Sequence, residues 1–485
     1  SALSFMVQFL KTDICVVGAG SGGLSVAAGA VQMGADVVLV EGGKMGGDCL
    51  NYGCVPSKAF LAAAHAARVH IHARGLGLSG RAPQVNFEQV MDHVHDVITG
   101  IAPVDSVERF SKLGVKVIEN FGRFISPKVM AAGKYHIAAK RFVIATGSCA
   151  HVPEIEGLAD APFLTNETIF DLRDAPEHLV IIGGGPIGME MAQAHRRLGA
   201  NVTVIEAANA LGREDPEIAD FVLDGLREDG VTILENAKVE KITTNKNARS
   251  PGVEVQTSAG KISGTHLLVA TGRLANIARL NLPAAGVETV RTPAGQPCIR
   301  TDRRLRTSNR KIFAIGDVAG GPKFTHSAGY QAGIVIRNIL FHLPARANFN
   351  AMPRVTYTSP ELAHVGLTEV EARRRHKSVK ILRWPFGEND RARAERETRG
   401  MIKAVVTGNG KILGASIVGN QAGDLLAPWT LALTQGLGIS ALATVVVPYP
   451  TRGEVSKHAA GDYFSPTLFS ARTRRIVRFL SWFRH

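Results

Sequence analysis

Two stretches of the chain carry the same order of apolar runs, glycines and acids. Asp13-Ile14-Cys15-Val16-Val17 is a short continuous apolar run and predicts a buried parallel strand. Gly18-x-Gly20-x-x-Gly23 follows, then an Ala/Val-rich helix to about Gly34, then a second strand from Asp36 to Val40 that ends in Glu41. The order returns at Leu179–Ile182. Gly183-x-Gly185-x-x-Gly188 comes next, then a helix through Met189 to Leu198 and a strand from Asn201 to Ile205 that ends in Glu206. Gly18 to Glu41 and Gly183 to Glu206 are each 23 positions apart. In such a unit the first glycine makes the tight turn and the second lets backbone amides approach a pyrophosphate. The third lets helix and strand pack closely, and the helix N-terminus stabilises phosphate charge. One glycine fingerprint is weak evidence. Two complete copies imply two bound dinucleotides.

From Pro353 the pattern changes. Val355–Thr358, Lys380–Trp384, Gly400–Thr407 and Lys411–Val418 alternate like antiparallel strands with glycine turns, and helices are expected near 422–436 and 452–462. Length agrees with several domains, since 485 residues exceed what one core normally serves.

The charge, +14 from 56 basic and 42 acidic residues, favours anionic partners, and nucleotide cofactors account for part of it. Arg373-Arg374-Arg375-His376-Lys377 reads as a solvated helix face. A second cluster, Arg472, Arg474, Arg475, Arg478 and Arg484, lies in the last fifteen residues. Neither has the aromatic and motif context of a nucleic-acid module, so no nucleic-acid partner is expected. No apolar run reaches the ~18 residues of a membrane span. Ser1 to Leu10 lack the charged start and cleavage pattern of a signal peptide. A cytoplasmic protein is expected. Five cysteines, with Cys15, Cys149 and Cys298 scattered, do not make a disulfide framework. No metal site is expected.

The chemistry is concentrated in Gly46-Gly47-Asp48-Cys49-Leu50-Asn51-Tyr52-Gly53-Cys54-Val55-Pro56-Ser57-Lys58. Two thiols with four residues between them can close a small reducible disulfide, and the adjacent dinucleotide site can supply electrons. Pro56 suits the first turn of a helix, and Lys58 lies four residues beyond Cys54 on the same face. A helix N-terminus and a nearby cation both lower a thiol pKa. The run resembles the active-site disulfide of the flavoprotein pyridine nucleotide-disulfide oxidoreductases, among them dihydrolipoamide dehydrogenase, glutathione reductase and mercuric reductase. The likeness covers about residues 10–465. It implies an α/β fold with two Rossmann-like dinucleotide-binding domains and a C-terminal α+β dimerisation domain. The expected boundaries are 8–156 and 279–349 for a discontinuous FAD domain, 157–278 for the NAD domain, 350–470 for the interface and 471–485 for a basic tail.

The resemblance also implies roles. Cys54 is the thiolate beside the flavin, and Cys49 exchanges with the acceptor. Lys58 lies beside the flavin with Glu190 as its partner. Since the disulfide must touch the flavin, the first unit takes FAD through Gly18, Gly20, Gly23, Glu41 and Gly47. The second takes the nicotinamide through Gly183, Gly185, Gly188 and Glu206. Glu206 pairs with a free 2′-hydroxyl and repels a 2′-phosphate, which favours NADH, although Arg213 is near enough in sequence to soften this. Thr146 and Gly147 in Ala145-Thr146-Gly147-Ser148, and Gly272 and Arg273 in Ala270-Thr271-Gly272-Arg273, close the two nucleotide units. Gly316 and Asp317 resemble the second FAD segment. Thr358–Glu361 and Val365–Glu369 resemble the interface domain that makes these enzymes homodimers.

One departure bears on the acceptor. Dihydrolipoamide dehydrogenase and glutathione reductase carry His-Pro-Thr and then Glu, with the His as acid–base catalyst. This chain reads Pro448-Tyr449-Pro450-Thr451-Arg452-Gly453-Glu454. Glu454 is kept, but Tyr449 titrates near 10 and is no near-neutral base, so it serves as a hydrogen-bond donor, a metal ligand or a packed interface aromatic. A tyrosine near this place resembles mercuric reductases, although their C-terminal cysteine pair is missing. The expectation is an NADH- and FAD-dependent disulfide oxidoreductase with a metal ion, a quinone or a disulfide as acceptor. A dihydrolipoamide dehydrogenase is the second reading. The third is an electron-relay subunit docked on a membrane, at its inner face, or on a membrane protein. In the tail Ile476, Phe479, Leu480 and Phe483 share one helical face apart from Arg474, Arg475 and Arg478. That suits either membrane contact or a helix docked on its own subunit.

Overall fold

The computed structural model describes residues 7–78, 81–245 and 252–483. The first sheet is built around strand Gln8–Val17, which pairs in parallel with Val37–Glu41 on one side and Tyr135–Ile144 on the other. Lys116–Glu119 extends it beyond Val37–Glu41. Ile312–Ala314 returns from much later in the chain and pairs in parallel with Tyr135–Ile144. Residues far apart in sequence therefore meet at the C-terminal ends of one parallel sheet, where ligands bind in open α/β folds. A small antiparallel extension, Gly122–Ser126 with Val129–Ala132, closes the far edge.

The second sheet repeats the plan. His178–Ile182 sits between Asn201–Ile205 and His266–Val269, with Thr232–Leu234 and Phe163–Leu164 outside, all parallel. Both units start their helix at a glycine, Gly20 before Ser21–Gln32 and Gly185 before Pro186–Arg197, each at φ −78° and ψ 179°. The third body is a five-stranded antiparallel sheet ordered Arg354–Thr356, Glu361–Gly366, Ile412–Gly419, Met401–Thr407, Val379–Pro385. The helix expected near 422–436 is two helices, Ala422–Leu425 and Ala427–Gln435, because Pro428 starts a new first turn. The cluster at Arg373 lies on the exposed end of helix Glu369–Arg375, where Arg373 pairs with Glu369 at 2.7 Å.

Several contacts hold these bodies together. Helix Cys54–Gly75 packs on helix Pro186–Arg197 through Phe60, Ala64, Met189 and Met191, all at most 2% exposed. Lower on the same pair, Arg68 and Arg197 each reach Asp229 at 2.7 Å. The antiparallel sheet is tied to the second unit by buried Lys403, 2.9 Å from Asp215 and 2.8 Å from both Glu217 and Glu369. A buried cation tolerates desolvation only when so surrounded. No helix of the described residues is long and apolar enough to cross a membrane.

Candidate active site

Cys49 lies in the short helix Gly47–Asn51, and Cys54 opens helix Cys54–Gly75. The loop that carries them is pressed onto the first glycine turn. Gly47 has φ +61°, and a Cβ there would meet the Cα of Gly20 at 2.7 Å, so only glycine lets the two segments approach this closely. Both cysteines are free thiols, Cys49 half-buried and Cys54 exposed. The proton affinities of the two thiols are coupled. The interaction with Cys49 is the largest cause that lowers the Cys54 thiol from 9.0 to about 6, helped by the Thr325 hydroxyl and the Lys58 charge and opposed by desolvation. The same interaction, with desolvation, pushes Cys49 upward. The pair is therefore unequal: Cys54 is a thiolate near neutral pH, and Cys49 keeps its proton.

Lys58, one helical turn further on, donates to Glu190 Oε2 at 2.8 Å. Glu190 is 5% exposed and also accepts from the Tyr357 backbone N–H at 2.9 Å. The Lys58 Nζ stands 4.2 Å from the Tyr357 ring centroid, a cation–π contact. One lysine thus joins the redox helix, the second nucleotide unit and the antiparallel domain.

The two glycine turns have the same internal wiring. A Cβ at Gly18 would lie 2.4 Å from the Ala145 carbonyl oxygen, and one at Gly183 would lie 2.4 Å from that of Ala270. A Cβ at Gly23 or Gly188 would run into the first glycine's carbonyl of its own turn, at 1.8 Å and 2.0 Å. Gly20 and Gly185 differ. A Cβ at Gly185 meets nothing within 4 Å, and one at Gly20 only the Gly47 Cα at 4.0 Å. Packing does not demand glycine there. Neither helix N-terminus has a side-chain cap. Clear space beside uncapped amides fits a dinucleotide pyrophosphate. Glu41 Oε2 accepts from Ala19 N at 2.5 Å and Oε1 from Gly43 N at 2.6 Å. Glu206 does the same with Gly184 N at 2.7 Å and Ala208 N at 3.0 Å. Each carboxylate oxygen keeps a second lone pair for a ribose hydroxyl.

The crossover residues meet in one polar cluster. Arg273 pairs with Asp48 at 3.0 Å and Asp317 at 3.6 Å and donates to the Ser148 hydroxyl at 2.7 Å. Ser148 in turn donates to Asp317. Thr146 Oγ1 donates to the Asn276 carbonyl at 2.8 Å. Gly147 and Gly272 have φ +67° and +132°, and a Cβ on either meets nothing within 4 Å. Gly316 at φ +72° donates its amide to Gln331 at 2.8 Å. Sequence reasoning did not find three of these partners. Thr325, 3.3 Å from Cys54 Sγ, opens helix Thr325–Ile339, and its position just after the Asp317 segment was the available signal. Asp48 sits beside Cys49 and is also held by Asn166 Nδ2 at 2.9 Å. Tyr357 carried no sequence signal.

Tyr449 and Glu454 are elsewhere. No hydrogen bond or ion pair among the described residues links either to Cys49, Cys54 or Lys58. Tyr449 is 71% exposed and donates to Asp390 Oδ2 at 3.0 Å. That bond, with the Asp390 charge, raises its pKa above 10.0. Glu454 opens helix Glu454–Asp462. Cys15 and Cys298 are buried in the first unit, and Cys149 lies in the crossover strand.

The chain matches the pyridine nucleotide-disulphide oxidoreductase family over residues 12–332 and that family's dimerisation domain over residues 352–460. It is 34% identical over 449 residues to a mercuric reductase of Bacillus cereus, covering 92% of this chain and 70% of that protein. It is 32% identical over 461 residues to a dihydrolipoyl dehydrogenase of Staphylococcus aureus, covering 93% and 96%. Among solved structures, one described as the Cu(II) complex of the HOCl-induced flavoprotein disulfide reductase RclA from Escherichia coli superposes with a TM-score of 0.82. It shares 28% identity and covers 93% of this chain and 99% of that one. The family uses FAD and NAD(P)H, and the dimerisation domain supports a homodimer. Fold, thiol pair and duplicated nucleotide turns thus converge, and this chain belongs to the pyridine nucleotide-disulphide oxidoreductases, the enzymes of flavin-linked dithiol chemistry.

Proposed function

We propose that this enzyme takes electrons from NADH and delivers them, through FAD and the Cys49–Cys54 pair, to a soft metal ion. FAD, when bound, supplies the two-electron relay between nicotinamide and disulfide. The chain's own residues do the rest. The first glycine turn and Asp317 hold FAD, and the second turn holds the nucleotide, with Glu206 selecting the free 2′-hydroxyl of NADH. Lys58 fixes the positive charge beside the Cys54 thiolate. Cys49 meets the acceptor.

The observation that carries this reading is Tyr449. Asp390 accepts its hydrogen bond and pushes its pKa further up, away from the range useful for proton transfer to a thiol. A disulfide acceptor needs that proton transfer, whereas a soft metal ion needs only thiolate ligands. The relatives named mercuric reductase and the Cu(II) complex of the structural neighbour agree with such an acceptor. A dihydrolipoyl dehydrogenase is the second reading, favoured by the S. aureus relative. A cytoplasmic location, with the basic tail giving peripheral contact to the membrane's inner face, completes the proposal.

The test offers Hg(II), Cu(II), a quinone, lipoamide and glutathione disulfide to the purified holoenzyme with NADH. Turnover is expected with the metal ions, with lipoamide slow. Tyr449→His is expected to raise lipoamide turnover, within the ~10²–10⁴ range of general acid–base catalysis. Brisk lipoamide turnover by the unaltered enzyme rejects the metal reading.

A further inference from the structure

Helix Ala471–Ser481 has no buried residue, although Ser470 caps its N-terminus by accepting from Thr473 N at 3.2 Å. The apolar side is laid bare along its length: Ile476 is 49% exposed, Phe479 62%, Leu480 55% and Phe483 70%. These positions are i, i+3, i+4 and i+7, one continuous stripe. Phe479 and Phe483 pack edge to face along it, with ring centroids 5.1 Å apart. Arg474, Arg475 and Arg478 stand off the stripe, and Trp482 beyond them is 82% exposed. The helix therefore does not dock on the chain that carries it.

We infer that this helix lies in the plane of an anionic membrane surface, its apolar stripe among the acyl chains and its arginines at lipid phosphates. It deepens the proposed peripheral contact by naming the ligand, and it stands apart from the choice of electron acceptor. Charge selects the occupant. Between Tyr463 and Phe483 there is no acidic residue and there are four arginines. A second copy of this chain is itself at +14, so its surface is of the wrong overall sign. The matched dimerisation domain also stops at residue 460, before the helix begins. A strip of cations beside exposed Phe, Leu and Trp is the composition that settles at a headgroup–acyl boundary.

The experiment uses the dimeric holoenzyme and sedimentation with vesicles of mixed phosphatidylglycerol and phosphatidylcholine, with pure phosphatidylcholine beside them. Comparison proteins are a chain ending at Tyr463 and an Arg474→Glu, Arg475→Glu, Arg478→Glu variant of full length. The unaltered protein is expected to bind the anionic vesicles at low salt, to bind phosphatidylcholine poorly and to release as salt rises. Truncation and charge reversal should each weaken binding at least about tenfold, since each surface arginine contributes and two tails act per dimer. Flavin reduction by NADH should be the same in all three, so a failure of the electron-transfer reading shows separately. Equal binding by the three proteins, or equal binding to both vesicle types, overturns the inference. Loss of the dimer on truncation and on charge reversal overturns it too, and assigns the stripe to the subunit interface.

Discussion

At the scale of single residues the site works through inequality. Cys49 and Cys54 are the same side chain, yet their mutual coupling, Thr325 and Lys58 draw their proton affinities apart. The reduced enzyme is expected to show one thiolate titrating near pH 6, followed by thiolate absorbance in the ultraviolet or by alkylation rate. Cys54→Ser should remove that titration. Cys49→Ala should keep a thiolate but move it upward, because the largest cause of the lowering is gone. A Cys49→Ala protein that still titrates near 6 gives Lys58 and Thr325 the main part. The cofactor end has its own single-residue test. Glu206→Arg exchanges a carboxylate for a cation where the adenosine ribose is expected, and the ratio of NADH to NADPH efficiency should swing toward NADPH. Comparable use of both nucleotides by the unaltered enzyme would remove Glu206 as the selector. The motif residues around the thiols were legible because backbone sterics or charge forces their identity at a fixed spacing. Tyr357 and Asp390 were not, because each acts through a contact between segments far apart in sequence.

At the scale of elements, the redox helix is positioned by the helix it packs on. His195 lies in that interface, 1% exposed, its ring 4.7 Å from Phe60 and 5.9 Å from Phe87, with no partner for either ring nitrogen among the described residues. Burial, with the nearby His266, lowers its pKa from 6.5 to about 3. The folded chain therefore holds it neutral. Its stabilising effect is complete above pH 6.5 and is lost as pH falls toward 3, by up to about 1.4 kcal/mol per pH unit. His195→Leu should flatten that decline, seen as a smaller drop in the urea midpoint between about pH 7.5 and about pH 5. An unchanged drop assigns the acid sensitivity to another group, such as His364, which is also buried and lowered to about 3. Element existence was readable from the apolar runs: strand Asn201–Ile205 has its expected bounds, and the strands after Pro353 lie within a few residues of theirs. Strand Glu361–Gly366 was seen only as part of a family likeness, since a strand central in a sheet and buried on both faces shows no alternation.

At the scale of the whole molecule, one chain does not bring all its expected catalytic residues together. Among the described residues Tyr449 and Glu454 share no hydrogen bond or ion pair with the thiols, and the chain just before Tyr449 is apolar and open: Val445 is 45% exposed and Val446 89%. A second subunit, through the dimerisation domain, is the natural cover. Val446→Arg should shift the protein toward monomer in sedimentation. The Cys54 titration should stay in place. Full acceptor turnover by a proven monomer would show that Tyr449 has no part in the chemistry. The duplicated units could be read from sequence because their period is local. The homodimer was legible only as a family likeness, at Thr358–Glu361 and Val365–Glu369, since a contact between two surfaces has no local period.

The redox helix is fastened to the second nucleotide unit at two places, Lys58 on Glu190 and Arg68 on Asp229. These fixings stand ten residues apart, about 15 Å along the axis at 1.5 Å per residue. Two pins along one rod oppose a pivot more than one would. A relative swing of the two nucleotide units about this helix therefore has to break at least one of them.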